Sequence, residues 1–315
     1  MKNNQKIRIF LVVAGIVCTG ILSYTLNGHS SKQTAIEDIP KKRALEVTAS
    51  FYPLYYFASE IGGENVRVYN ITPAGAEPHD YEPTSRDIVR IEKSNLLILN
   101  GRALEPWSDK IKNALEGKKV IVITAGDNIA TQKIKEDGGA LQDPHVWLDP
   151  VLAKEEVRSI LQGFVLADPK NAPAYESNSR MLQQSLDTLH KEYQEGLNDC
   201  KKRDIVTSHA AFGYLAGEYH LRQISISGLS PDEEPSAKKL SELTDFVRKN
   251  NIQHIFFESL VSPKLSETIA HEVGVSTLLL NPIEGLSDEE KLAGKNYFTL
   301  MRQNLTNLRT ALQCR

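Results

Sequence analysis

The stretch APAYESNSRMLQQSLDTLHKEYQEGL, residues 172–197, decides how the rest of the chain is arranged. Apolar side chains recur in it at spacings close to three, four and seven, with charged residues between them, which is the pattern of a long amphipathic helix. The apolar residues of this pattern are Tyr175, Met181, Leu182, Leu186, Leu189, Tyr193 and Leu197. We interpret this helix, inside a linking segment at residues 167–199, as a rigid connection between two lobes. The alternative is an ordinary amphipathic helix within one larger domain.

Short apolar segments alternate with helical segments on both sides of this helix. Residues 45–166 form one such series and residues 200–315 form the other. The predicted strands are residues 45–51, 66–71, 96–99 and 119–124 in the first series, and 204–207, 223–227, 254–257 and 276–280 in the second. Alternating strands and helices indicate parallel sheets covered by helices, and such sheets bind ligands beyond the carboxyl ends of their strands. We therefore predict an α/β fold of two β/α lobes joined by a single long helix.

Length and composition fit two globular lobes. The chain has 315 residues, of which 41% are hydrophobic and 24% are charged, and this length is enough for two domains with separate cores. A net charge of −3 and the lack of a basic stripe give no electrostatic reason to expect nucleic acid as a partner. We expect the protein to be a monomer.

The amino-terminal segment is typical of an exported protein. Three basic residues among the first eight precede an uncharged apolar run that ends near Leu26. This pattern indicates a signal peptide, or an uncleaved anchor because no clear A-x-A cleavage site follows. A lipid anchor at Cys18 is less favoured, since the residue before it is not small. We predict that residues 1–26 direct export, that residues 27–44 form a flexible tether, and that the lobes lie in the periplasm or on the outer face of the cytoplasmic membrane.

Three histidines lie in loops that follow predicted strands. His79 is in the loop TPAGAEPHDYEP, His145 is in the stretch DPHVWLDP, and His209 comes directly after the strand at residues 204–207. The two Asp-Pro steps around His145 disfavour helix and hold that loop in an extended or turn geometry. Because ligands bind beyond the carboxyl ends of parallel strands, we predict that the three imidazoles share one site. Neutral imidazoles suit zinc and related transition metals.

A carboxylate in the loop after the last predicted strand would complete this site. Glu284, in the segment NPIEGL, would give a tetrahedral zinc site with two ligands from each lobe. The alternative is that Glu284 is a solvated loop residue and that water fills the fourth position. The candidate metal ligands are therefore His79, His145, His209 and Glu284.

These motifs resemble the metal-binding substrate-binding proteins of zinc and manganese ABC importers, the ZnuA, TroA and AdcA type. The resemblance runs from about residue 45 to the carboxyl terminus, and it rests on several long motifs in the same order. The motifs are TPAGAEPHDYEPTSRD, DPHVWLDP, TSHAAFGYLA, GLSPDEEPSAKKL and NPIEGL. The resemblance implies two β/α lobes joined by one long helix, a single metal clamped in the cleft between the lobes, and delivery of that metal to a membrane ABC permease.

The resemblance also implies which metal is carried. Relatives that resemble manganese binders have a carboxylate at the third ligand position, where this chain has His209, so zinc is the predicted transported ligand and manganese is less favoured. Glu284 is favoured over the neighbouring Asn281 because AdcA-like relatives use a glutamate in such a loop. Zinc-specific relatives often carry a histidine-rich loop between the first two ligands. Residues 126–142 contain no histidine, so we predict no metal-scavenging loop.

Two other functions are open as alternatives. A zinc hydrolase would leave the fourth metal position to water, but the chain has no HExxH, GxSxG or P-loop motif. A carboxylate at that position would also remove the site for a substrate. We therefore predict that the protein is not an enzyme. The second alternative is a surface adhesin whose metal site is structural.

The chain has two cysteines outside the amino-terminal segment. Cys200 falls at the start of the second lobe and Cys314 at the extreme carboxyl terminus. Export would place both in a compartment that permits disulfides. We predict a disulfide between them, and two free thiols are the alternative.

Overall fold

A computed structural model describes residues 44–136 and 139–315 of the chain. The predicted export segment at residues 1–26, and the predicted tether apart from Ala44, lie outside the described residues. Within the described part, no helix combines the length and the apolar character needed to cross a membrane.

The first lobe is built around a parallel sheet of four strands in the order β2-β1-β3-β4. The strands are β1 Leu45–Ala49, β2 Val66–Asn70, β3 Leu96–Leu99 and β4 Ile121–Thr124. The helices are α1 Tyr52–Gly62, α2 Ser85–Lys93, α3 Ser108–Ala114 and α4 Pro150–Ala167. All four residues of β3 are buried, as expected for a continuous apolar run in a central parallel strand with both faces covered.

The second lobe repeats this architecture with the strand order β10-β9-β7-β8. The strands are β7 Asp204–Thr207, β8 Arg222–Ser225, β9 His254–Phe257 and β10 Ser276–Leu279. The helices are α6 Gly213–Glu218, α7 Ala237–Lys249, α8 Lys264–Val273, α9 Asp288–Leu292 and α10 Tyr297–Leu312. Every strand pair in this sheet is parallel. The predicted fold of two β/α lobes is therefore confirmed.

The long helix α5, Ala172–Asn198, connects the lobes. Its 27 residues span about 40 Å at 1.5 Å per residue. The apolar stripe is buried along the whole helix. Its buried residues are Tyr175, Leu182, Leu186, Leu189, Tyr193 and Leu197. This stripe packs on α1 and α4 of the first lobe and on α10 of the second. The one exception is Met181, which the sequence analysis placed in this stripe but which is 57% exposed, so that assignment was wrong.

Hydrogen bonds from buried aromatic side chains also join the two lobes. The Trp147 indole donates a 2.8 Å hydrogen bond to the carbonyl of Pro282. The Tyr297 hydroxyl donates a 2.6 Å bond to the carbonyl of Trp147. All atoms of Trp147 and Tyr297 are removed from solvent, and buried aromatic groups whose polar atoms are bonded fix the relative position of the elements they join.

The segment between β4 and the loop of His145 differs from the prediction. No strand was predicted between residues 124 and 145, and the structure has an antiparallel hairpin there, β5 Lys133–Glu136 and β6 Gly139–Gln142. The sequence gives little signal for it, because two strands of four residues each show almost no periodicity. The hairpin brings the chain back, so that Gln132 and Asp143 are hydrogen-bonded neighbours at its base.

A disulfide joins Cys200, which follows α5, to Cys314, which follows α10. The two cysteines are 114 residues apart in the chain, and both side chains pack against the main core. The predicted bond is therefore confirmed. It ties the last helix to the end of the linking helix.

Replacing both Cys200 and Cys314 by serine should lower the free energy of unfolding by about 2–4 kcal/mol, because the unfolded chain loses a cross-link that closes a long loop. Urea denaturation of the exported protein measures this loss. Addition of reductant to the wild type is the control and should produce a similar decrease. Two titratable thiols in the unreduced wild type would contradict the bond.

Candidate metal site

The four predicted ligand residues come together in the cleft between the lobes. His79 lies on a short 3-10 turn, Pro78–Asp80, after β2, and His145 lies between β6 and α4. His209 follows β7, and Glu284 follows β10. One potential ligand atom from each of the four side chains lies within 4.8 Å of the others. All four are 0–7% exposed.

The distances between these atoms fit a tetrahedral zinc site. Nε2 of His145 lies 3.2 Å from Nε2 of His79 and 3.3 Å from Nε2 of His209. Oε1 of Glu284 lies 3.2 Å from His145 and 3.4 Å from each of the other two imidazoles. A tetrahedron with zinc–ligand bonds of about 2.0–2.1 Å has edges of about 3.3–3.4 Å. The side chains therefore leave a space of the size that zinc requires.

Glu284 is the group that most needs a cation. Its side chain is 0% exposed, and neither carboxylate oxygen makes a hydrogen bond to the described residues. A buried carboxylate without hydrogen bonds is strongly unfavourable unless a positive charge compensates it. Its Oε1 lies 3.2–3.4 Å from the three imidazoles, so a metal ion held by all four residues would satisfy it.

Two further carboxylates, which the sequence analysis did not identify, orient the imidazoles. Nδ1 of His145 lies 2.8 Å from Oδ1 of Asp143, and Nδ1 of His209 lies 2.7 Å from both carboxylate oxygens of Glu258. Each pairing turns Nε2 of the imidazole toward the site and makes that nitrogen a stronger ligand. Glu258 comes directly after the strand β9. Its position could have been recognised from the sequence, because side chains that follow parallel strands lie near the ligand crevice.

The loop that presents Glu284 is shaped by its neighbour Asn281. The Asn281 amide oxygen accepts a 2.7 Å hydrogen bond from the backbone of Ile283, and its amide nitrogen donates a 2.8 Å bond to Glu290. Ile283 adopts a positive φ of 58°, a backbone conformation that a β-branched residue rarely adopts. Both hydrogen-bonding ends of Asn281 thus hold this loop, which leaves Glu284 as the residue that faces the imidazoles.

The other histidines of the described chain lie apart from this site. Nδ1 of His190 is 3.1 Å from the hydroxyl of Tyr219, and Nδ1 of His254 is 2.8 Å from the hydroxyl of Ser276. His190 and His254 therefore have ordinary hydrogen-bond partners. His29 lies outside the described residues.

Burial and charge shift the pKa values of the site in different directions. Burial lowers the pKa of His79. Burial alone would also lower the pKa of His209, but the charges of Glu258 and Glu284 outweigh it and raise that pKa well above its usual range. The pKa of Glu284 lies well below its usual range, because the imidazoles, His209 first, outweigh the effect of burial. The two carboxylates therefore favour the protonated form of His209.

As the pH is lowered, the metal affinity should begin to fall while the pH is still above 6.5, the ordinary pKa of histidine. Because His209 has a raised pKa, it holds a proton that the metal must displace, and each displaced proton weakens binding by about tenfold per pH unit. Titration of zinc against a chelator of known affinity, from about pH 5 to pH 8, measures this. Glu258→Gln should move the onset to lower pH, since it removes a charge that favours the protonated imidazole. If the affinity of the wild type began to fall only well below pH 6.5, the raised pKa of His209 would be contradicted.

Two β/α lobes joined by one long helix, with a cluster of three imidazoles and a carboxylate from both lobes in the cleft, are the architecture expected of a solute-binding protein. The chain belongs to the ZnuA family, because residues 47–311 match the family described as zinc-uptake complex component A, periplasmic. Proteins of this family are solute-binding proteins of ABC importers and not enzymes. Membership therefore confirms the resemblance noted in the sequence, and it implies an extracytoplasmic location.

Two relatives show the extent of the similarity. The zinc-binding lipoprotein AdcA of Streptococcus pneumoniae strain R6 is 39% identical over 276 residues, which are 84% of this chain and 55% of that protein. The high-affinity zinc uptake system protein ZnuA of Bacillus subtilis is 37% identical over 296 residues, which are 90% of this chain and 92% of that protein. The chain thus spans about half the length of the first relative and nearly all of the second.

Solved structures agree with this assignment. The crystal structure of Zn(II)-bound AdcA from Streptococcus pneumoniae matches with a TM-score of 0.76 and 38% identity, over 86% of this chain and 58% of that one. The laminin-binding protein Lmb of Streptococcus agalactiae is described as a bifunctional protein with adhesin and metal transporting activity. It matches with a TM-score of 0.78 and 33% identity, over 85% of this chain and 100% of that one.

Proposed function

We propose that this protein captures zinc outside the cytoplasm and delivers it to an ABC permease. His79, His145, His209 and Glu284 are the proposed ligands. The observation that carries the proposal is the buried Glu284 carboxylate, which has three imidazole nitrogens at 3.2–3.4 Å and no hydrogen bond among the described residues. The zinc-binding and zinc-uptake relatives support the same conclusion.

The donor set favours zinc over manganese. Three nitrogen donors and one carboxylate suit a borderline-soft ion with a tetrahedral preference, whereas manganese favours oxygen ligands and higher coordination. Asp143 and Glu258 support this preference, because both fix an imidazole in one orientation. A site that is held this rigidly adapts poorly to an ion that needs more ligands.

The burial of the site defines what delivery requires. The ligand side chains are 0–7% exposed, so the metal leaves only when a loop or a lobe moves. A membrane permease that binds both lobes is the partner that such a carrier needs.

We further propose that residues 1–26 direct export, that residues 45–166 and 200–315 are the two lobes, and that the protein acts as a monomer in the periplasm or on the outer face of the cytoplasmic membrane. The adhesin alternative is supported by the likeness to Lmb, and laminin binding with and without zinc would distinguish it.

Glu284→Ala should weaken zinc binding by a factor on the order of 10–100 or more, because the change removes the charged ligand and leaves three neutral donors. Isothermal titration in competition with a chelator measures the affinity. Glu289→Ala is the matched control, since Glu289 is an exposed carboxylate five residues further along the chain, and its loss should leave the affinity unchanged. Equal affinity of Glu284→Ala and the wild type would refute the ligand assignment.

Zinc should displace manganese from the wild-type site when both ions are present at the same concentration. Metal analysis of protein dialysed against an equimolar mixture measures the bound ratio. Replacing His209 by aspartate should raise the bound fraction of manganese, because an oxygen donor takes the place of a nitrogen. A wild-type protein that retains mainly manganese from the mixture would contradict zinc selectivity.

A further inference from the structure

The helix α6 of the second lobe begins against a residue that orients a metal ligand of the first lobe. Oδ1 of Asp143 accepts hydrogen bonds from the backbone nitrogen and from Nδ1 of His145, at 2.9 and 2.8 Å. Oδ2 of the same carboxylate is buried and has no hydrogen-bond partner among the described residues. A Cβ atom at Gly213 would lie 2.8 Å from this Oδ2. The side chain of Asp143 therefore occupies space that only glycine leaves free at position 213.

The next residue of α6 holds the same segment by its backbone. The Tyr214 hydroxyl donates a 3.1 Å hydrogen bond to the carbonyl of Asp143 and accepts a 2.9 Å bond from the backbone nitrogen of Gln132. The backbone nitrogen of Asp143 in turn donates to the carbonyl of Gln132 at 3.0 Å. Tyr214 is 4% exposed. One side chain of the second lobe thus fixes both ends of the hairpin base in the first lobe.

The loop before α6 carries the metal ligand His209. The backbone carbonyl of His209 accepts hydrogen bonds from Thr207 at 2.8 Å and from Gln223 at 2.9 Å. His209 is therefore fixed to the second lobe four residues before Gly213. His145 is fixed to Asp143 in the first lobe. The contact of Gly213 and Tyr214 with Asp143 is the place where these two rigid units meet.

We infer that Gly213 and Tyr214 are positioning residues that set the spacing between His145 of the first lobe and His209 of the second. The two Nε2 atoms lie 3.3 Å apart, which is close to the edge of a zinc tetrahedron. A bulkier residue at position 213 moves Asp143 and hence His145, while loss of the Tyr214 hydroxyl frees the hairpin base. This inference rests on the proposed zinc site.

The central test compares two glycine-to-alanine changes in the same helix. Gly213→Ala should weaken zinc binding by about 10–100-fold, the range for residues that orient a metal ligand. Gly217→Ala is the matched control, because a Cβ there meets only the Gln132 side chain, at an ordinary 3.5 Å. Both changes add a single methyl group to the same helix, and at position 213 this group meets Asp143 Oδ2 at 2.8 Å and Gln132 Oε1 at 3.1 Å. A difference between the two variants therefore reports these close contacts, and the double-mutant cycle below isolates the contribution of Asp143. Tyr214→Phe should weaken binding by about tenfold.

A spectroscopic readout separates positioning from stability. Co²⁺ bound in place of zinc absorbs visible light with an intensity that reports its coordination geometry. Gly213→Ala and Tyr214→Phe should change this spectrum, and Gly217→Ala should reproduce the wild-type spectrum. If Gly213→Ala does not fold, Tyr214→Phe carries the test, because it removes a single hydroxyl. A wild-type spectrum and affinity in every folded variant of position 213 or 214 would overturn the inference.

A double-mutant cycle tests whether Gly213 acts through Asp143. In an Asp143→Ala background, the change Gly213→Ala should have little further effect on zinc affinity, because the group it displaces is already absent. Two fully additive effects would show that Gly213 acts elsewhere and would overturn the inference.

Failure of the proposed function would give a different result. Wild-type protein that binds neither zinc nor Co²⁺ would refute both the proposed function and the positioning role. Wild-type binding that is lost in Glu284→Ala but retained in Gly213→Ala and Tyr214→Phe refutes only the positioning role.

Discussion

The carboxylate of Glu284 is buried against three imidazoles in the cleft between the lobes. A charge of this kind, without solvent or hydrogen bonds among the described residues, destabilises a protein by several kcal/mol unless a cation is close. Three imidazole nitrogens lie 3.2–3.4 Å from it. The raised pKa of His209 reflects the same demand, because this carboxylate and Glu258 favour a proton on that imidazole. A metal ion in the proposed site would therefore compete with protons.

Such a site requires two lobes that are held at a fixed distance. The long helix α5 supplies part of this rigidity, because its buried stripe packs on helices of both lobes. Trp147 and Tyr297 supply another part through buried hydrogen bonds that cross the cleft. Trp147 also lies two residues from His145, so the interlobe bond and this proposed metal ligand belong to one short turn. Opening of the cleft would disturb both together, which would link release of a bound metal to movement of the lobes.

The sequence predicted some features well and missed others for identifiable reasons. The three histidines were found because each lies in a loop that follows a strand, and parallel strands direct such loops to one crevice. The hairpin at residues 133–142 was missed because its strands are only four residues long. Met181 was assigned to the apolar stripe of α5 from spacing alone, but it is exposed, since spacing close to the helical period does not identify the edge of a buried face.

Local structure was predictable from the sequence: the alternating strands and helices, the long amphipathic helix, and the loops that carry the candidate imidazole and carboxylate ligands. These features follow from propensities and periodicities that act over a few residues. Which groups meet became clear only in the folded structure. Trp147 bonds to Pro282 across 135 positions, and His209 pairs with Glu258 across 49. Contacts at such separations depend on how the lobes pack, and no local pattern encodes them. The close approach of Asp143 to Gly213 belongs to this second group, because it exists only where two lobes meet.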